Sequence, residues 1–136
     1  MVRPVIRDPL ILAQPSSPAA KTDLQAALDL METLEANQDR CVGMAANMIG
    51  IHKRIIAVRD GMVQFVMFNP VITKKEGAFE AEEGCLSLNG TRRTTRYQTI
   101  TVTYQDQLFR KRTGVYRGWV AQIIQHEIDH CDGILI

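Results

Sequence analysis

The sequence predicts an α+β domain, and three observations predict it. Strand-type segments crowd the middle of the chain, an apolar helix follows them, and no regular strand–helix–strand alternation joins the elements. A length of 136 residues suits one domain with a single sizeable core, and residues 1–136 hold no repeat, low-complexity tract or linker.

Each element can be justified in order. The opening segment to about Ala20 carries Pro4, Pro9, Pro15 and Pro18, so it is expected to run extended over the surface without regular structure. From Thr22 the pattern changes: Leu24, Ala27, Leu28, Met31 and Leu34 recur at helical spacing. Thr22-x-x-Gln25 reads as a capping box opening this helix, which ends near Asn37 and serves packing. Ile55, Ile56 and Val58 form one strand run and Val63 to Phe68 another, with Asp60-Gly61 as the hairpin signal between them. Asn69-Pro70 punctuates before Val71 and Ile72. From Tyr97 to Tyr104, Ile100, Val102 and Tyr104 alternate with threonines, which predicts a half-buried strand. Lys111 to Tyr116 would pair with it after a turn around Gln107 to Arg110. The last helix runs from about Gly118 to Asp132 and stops at Gly133. Trp119, Val120, Ile123, Ile124 and Ile128 make it apolar over more than one face, so it is expected at the centre of the fold.

Composition excludes several classes of function. A hydrophobic fraction of 46% and a charged fraction of 23% are those of an ordinary soluble globular protein. Net charge is +1 with the signs intermixed, so no basic field marks a nucleic-acid partner. No apolar run is long enough to span a bilayer, and Met1 to Leu12 lacks the apolar stretch of a signal peptide. A cytoplasmic protein without a membrane partner is expected. The three cysteines, Cys41, Cys85 and Cys131, are odd in number and irregularly spaced, which argues against a disulfide framework.

The chemistry concentrates in His126-Glu127-Ile128-Asp129-His130. Histidines at i and i+4 project from one side of a helix about a turn apart, close enough for two imidazoles to reach one cation. Glu127 sits beside that cation without having to ligate it, where it can act on a water as acid–base. The competing view, two histidines capping polar ends of a core helix, must desolvate both rings without a shared partner. His52, in the basic turn Gly50 to Arg54, reads as solvated. A third ligand is needed, and Glu82-Glu83-Gly84-Cys85-Leu86-Ser87 supplies the best candidate, a cysteine after a glycine that permits close backbone approach. One thiolate and two imidazoles leave a fourth position open, as catalytic sites do. Cys41 and Cys131 read as small buried residues.

These motifs together resemble the peptide deformylases over nearly the whole chain. Gly43-Met44-Ala45-Ala46-Asn47-Met48-Ile49-Gly50 resembles the family's glycine-rich G-L-A-A-x-Q-x-G run. E-G-C-L-S is intact as Glu83 to Ser87, and Q-H-E-x-D-H as Gln125 to His130, about 40 residues further on. The resemblance implies antiparallel β-sheets packed around the central helix that bears the two histidines. It implies hydrolysis of the N-formyl group from the initiator methionine of newly made polypeptides, with possible transient ribosome contact. It also implies one divalent metal, Fe2+ first, with Zn2+, Ni2+ or Co2+ as substitutes. Residue by residue, Cys85, His126 and His130 would be ligands and Glu127 the acid–base. The Leu86 N–H would steady the oxyanion, Gly43 would leave room for substrate, and Arg92 would reach the bound peptide. Ile123 and Leu88 are candidates to line the methionine pocket.

Departures from the pattern define the competing functions. Met48 stands where the family has a glutamine that donates to the oxyanion, and a thioether cannot donate. Asn47 is adjacent but shorter and is expected to point elsewhere. Asn89 replaces the proline usual after the cysteine motif, and the sequence stops six residues after His130, short of the C-terminal helix many bacterial members carry. The alternative is therefore a metal-binding relative with weak or altered activity, acting on another N-acyl group or binding formylated N-termini. A metallopeptidase of another kind is a third reading, for which the chain looks short.

Overall fold

Side chains alternate between the two faces of a strand, and here that alternation sorts residues into two cores on opposite sides of one sheet. The computed structural model describes residues 1–136. Its five strands are β1 (Gly43–Ala45), β2 (Ile55–Asp60), β3 (Val63–Cys85), β4 (Leu88–Gln105) and β5 (Lys111–Arg117). They pair in chain order, every pair antiparallel. Ile55, Ala57, Val66 and Phe68 join Leu30 and Leu34 of helix α2 (Leu24–Ala36) in one core. Ile56, Val58, Met67, Ile100 and Val102 join Ala121, Ile124 and Ile128 of helix α3 (Gly118–Cys131) in the other. Each fully buried apolar side chain contributes about 1.5–3 kcal/mol, so the sheet is held from both faces. The α+β class and the strand pairings expected from the sequence are present.

The N-terminal third corrects two expectations. The proline-rich opening segment is not wholly irregular: Pro9–Leu12 forms a single helical turn, α1. Asp8 accepts the Leu10 N–H at 2.9 Å, and Pro9, whose missing N–H costs nothing in a first turn, follows it. Thr22 does not cap α2. A 3-10 turn over Lys21–Asp23 precedes the helix, and the Asp23 carboxylate accepts the Ala20 N–H at 2.7 Å. Gln25 instead donates along the helix to Asp29. The helix ends at Asn37 as expected.

The largest feature missed in the sequence is the length of β3 and β4. Asn69-Pro70 bends the ribbon rather than ending it: the register shifts between Phe68 and Val71, and Asn69 adopts φ 52°. Its amide compensates, accepting the Ala19 N–H at 2.7 Å and donating to the Ala19 carbonyl at 2.9 Å. Beyond the bend, residues 73–78 are exposed on both faces, so no hydrophobic alternation marks them as strand.

Helix α3 lies against the sheet through Ile124 and Ile128, but Trp119, expected inside, is 61% exposed because it sits in the first turn on the outer side. Gly133 stops the helix at φ 76°, and a Cβ there would come within 2.5 Å of the Ala13 carbonyl oxygen. Gln125 acts as a strand neighbour. It accepts the Tyr97 N–H and donates to the Tyr97 carbonyl, both at 2.9 Å, and so fixes α3 to β4.

Candidate metal centre

Three separated residues meet where the β3–β4 hairpin turns against α3. Cys85 ends β3, and Leu86-Ser87 make the turn into β4. His126 and His130 face this turn from the buried side of α3. The Cys85 Sγ lies 3.3 Å from His130 Nε2, which lies 3.2 Å from His126 Nε2. All three donor atoms fall within 4.8 Å of one another. At most one proton can lie between the two facing Nε2 atoms, so at least one ring presents a lone pair toward the other two donor atoms. A divalent cation satisfies all three, and thiolate plus imidazole is a donor set suited to a borderline-soft metal with one position left open. The residues fit the group.

Burial disfavours charge on both rings, and their neighbours then separate them. On His126 that effect is outweighed by Cys85 and Glu83, which raise its pKa to about 10. On His130 burial is reinforced by the charge of His126, and its pKa falls to about 3.

Glu83 orients the first histidine. His126 Nδ1 donates to Glu83 Oε1 at 2.9 Å, which directs Nε2 at the cysteine. Burial works against the Glu83 carboxylate, but bonds from His126, Arg96 and Gln122 prevail and hold its pKa at about 2. Arg96 Nε donates to both Glu83 oxygens at 3.1 and 3.0 Å, Nη2 donates at 2.7 Å, and Nη1 reaches Asp129 Oδ2 at 2.7 Å. One guanidinium thus ties the cysteine segment to the histidine helix.

Glu127 is 4% exposed, and its Oε1 is buried with no protein partner. Burial, more than any charge, raises its pKa to about 7. A carboxyl that changes state near neutrality, with one oxygen free, is equipped to take up a proton and give it back. Gly43 makes this placement possible. A Cβ on Gly43 would lie 2.6 Å from Ile123 Cγ2 and 2.8 Å from Glu127 Oε2. The room it leaves is thus occupied by Glu127 and Ile123, not by substrate alone. A cavity of about 200 Å³ opens over this group, walled by Gly43, Cys85, Leu86, Ile123, His126 and Glu127 among others.

The remaining sequence candidates divide. Met48 is buried in the α2-side core, and its sulfur accepts the Ala45 N–H at 3.4 Å. Asn47 turns away from the cavity, as expected, and donates to the His130 carbonyl at 2.9 Å. Leu88 does not line the cavity; it is buried in the α2-side core. Arg92 stands opposite Glu83 in the ribbon and is absent from the cavity wall, and its Nη1 is buried without a partner. His52 is half-buried rather than solvated, with Nε2 3.0 Å from the Ile11 carbonyl. Burial pushes the thiols of Cys41 and Cys131 up to about 12, and Cys41 donates to the Gly43 carbonyl. Arg96, Asp129 and Gln122 were missed by sequence reasoning. The i, i+4 spacing of Gln122 to His126 and the i+3 spacing of Asp129 were the available signals.

The polypeptide deformylase family pattern matches residues 3–136. A peptide deformylase of Clostridium beijerinckii is 52% identical over 136 residues, with 100% of each chain covered. One from Thermus thermophilus is 39% identical over 127 residues, 80% of this chain and 65% of the relative. Among solved structures, the Met-Ala-Ser-bound class I type b peptide deformylase of Acinetobacter baumannii superposes with a TM-score of 0.89 at 30% identity, covering 99% of this chain and 97% of that one. Motif order, fold and full-length identity agree, and family members are metal-dependent enzymes: this chain belongs to the polypeptide deformylase family.

Proposed function

We propose that this chain is a metal-dependent hydrolase that removes the N-formyl group from the N-terminal methionine of newly made polypeptides. One observation carries the reading: the Cys85 sulfur and the Nε2 atoms of His126 and His130 gather together, and Cys85, His126 and the buried Glu127 line a small cavity. Cys85, His126 and His130 would hold the cation, Fe2+ by the family's preference, with Zn2+, Ni2+ or Co2+ able to substitute. Such a cation, when bound, supplies Lewis acidity that brings water within reach of deprotonation near neutral pH.

The protein's own groups do the rest. Glu127 takes a proton from the attacking water and returns it to the departing amine, which its pKa of about 7 suits in both directions. The Leu86 N–H at the hairpin turn donates to the oxygen of the formyl group as negative charge develops there. Glu83 and Arg96 keep His126 in its orientation throughout. Ile123 and Trp119 give the cavity apolar surface for a methionine side chain. The setting is the cytoplasm, with formyl-methionyl nascent chains as substrate and at most transient contact with the ribosome. No helix is long and apolar enough to cross a membrane.

The test is anaerobic purification with metal quantitation, then assay on formyl-methionyl peptides with acetyl-methionyl controls. One metal per chain and turnover of the formyl substrate alone are expected. A metal-loaded protein that leaves formyl peptides intact would refute the reading.

A further inference from the structure

Glu83 receives donors from two elements, and only one of its contacts belongs to neither the family's metal motif nor the Arg96 tie. Gln122 Nε2 donates to Glu83 Oε2 at 2.8 Å, while His126 Nδ1 donates to Glu83 Oε1 at 2.9 Å. Gln122 and His126 are four residues apart on α3, so both donors leave the same helix face. One donor per oxygen fixes the plane of the carboxylate relative to the helix. Arg96, on β4, also contacts both oxygens, through Nε at 3.1 and 3.0 Å and Nη2 at 2.7 Å, and reaches α3 only by way of Asp129. Gln122 adds to this a direct tie from the carboxylate to the helix turn that precedes His126.

Gln122 also lies on the cavity side. It is half-buried and forms part of the cavity wall, whereas Arg96 does not. Its amide therefore covers the Glu83 oxygen that water in the cavity would otherwise solvate. A fixed donor on Oε2 holds the whole carboxylate in one orientation, and with it the Oε1 that accepts the imidazole.

We propose that Gln122 is a positioning residue for the metal centre: it locks Glu83 in the plane that presents His126 Nε2 to the cation. This rests on the metal-centre reading above and reaches past it, because neither the ligand set nor the acid–base includes Gln122. The bland alternative is a helix side chain with a convenient partner.

The experiment uses Co2+-loaded protein and reads metal release to a chelator, together with the visible absorption bands that report the ligand field. Gln122→Met keeps length and bulk but cannot donate; Gln122→Lys restores a donor of similar reach. The Met variant is expected to release Co2+ about tenfold faster with shifted bands, near the lower end for loss of a group supporting a metal ligand. The Lys variant is expected to stay within about threefold of the parent, since it keeps the donor to which that effect is ascribed. Melting of the metal-free proteins should be unchanged, which separates positioning from general stability. Parental release by the Met variant would overturn the proposal, and so would equal loss in both variants, since packing would then explain it. No substrate enters the measurement. Failure here therefore leaves deformylation by the parent protein standing, and failure of deformylation leaves this result readable.

Discussion

Met48 stands where the family's pattern has a carboxamide, and its sulfur already accepts a backbone N–H from Ala45 inside the core. A glutamine could keep that bond through Oε1 and still offer an N–H of its own. One oxyanion donor is typically worth about 10²–10³ in turnover. Met48→Gln is accordingly expected to raise kcat on a formyl-methionyl peptide at least about tenfold, and unchanged turnover in metal-loaded protein would remove the oxyanion explanation. Glu127→Gln should lower kcat by about 10²–10⁴ while metal content per chain stays at the parental level. If metal content falls with activity, Glu127 supports the ligands rather than the proton transfers. Gly43→Ala forces a methyl against Ile123 and Glu127, so it should cost about 1–3 kcal/mol in stability and displace the carboxyl, seen as lower melting together with lower kcat. At this scale the sequence was most legible for groups whose spacing is their mechanism, the two histidines and the glutamate. Arg96 was hidden, because an arginine in a polar strand looks solvated until the residues opposite it are known.

Among the elements, α3 and the β2–β3 hairpin were legible because each carries a hydrophobic period and a turn signal. The β3–β4 ribbon was not, since residues 73–78 are exposed on both faces and its strand character comes from backbone pairing alone. The turn into β5 was placed correctly without its mechanism. Asp106 accepts the N–H groups of Leu108 and Arg110 on one oxygen and Arg112 Nε on the other, at 2.9–3.0 Å. Arg112, then the backbone N–H of Arg110, hold the Asp106 carboxyl down at about 2. A carboxyl whose pKa is lowered on folding adds stability that is complete above its ordinary pKa of 3.8 and fades as the pH falls toward 2. Asp106→Ala should therefore melt below the parent at pH 6, with the gap closing as the pH drops from about 4 to about 2. A gap of constant size across that range would mean that the turn does not depend on the charge.

For the molecule as a whole, the proposed ligands join the two ends of a long-range contact: Cys85 at the close of β3 and two histidines on α3. Binding across that contact should stabilise the native state by mass action, about 2.7 kcal/mol at a hundredfold excess over Kd. Stripping the metal with a chelator is expected to lower Tm by at least about 5 °C, and restoring it should recover the loss. An unchanged Tm would show that the cation adds nothing to the hairpin–helix contact.

The order of these parts along the chain bears on how such a protein is made. The thiol is synthesised about 40 residues before either imidazole, so through that interval the ligand set is incomplete. No cation can be captured until the second histidine has emerged and its helix has coiled. A protein proposed to trim polypeptides at birth would thus be idle during its own.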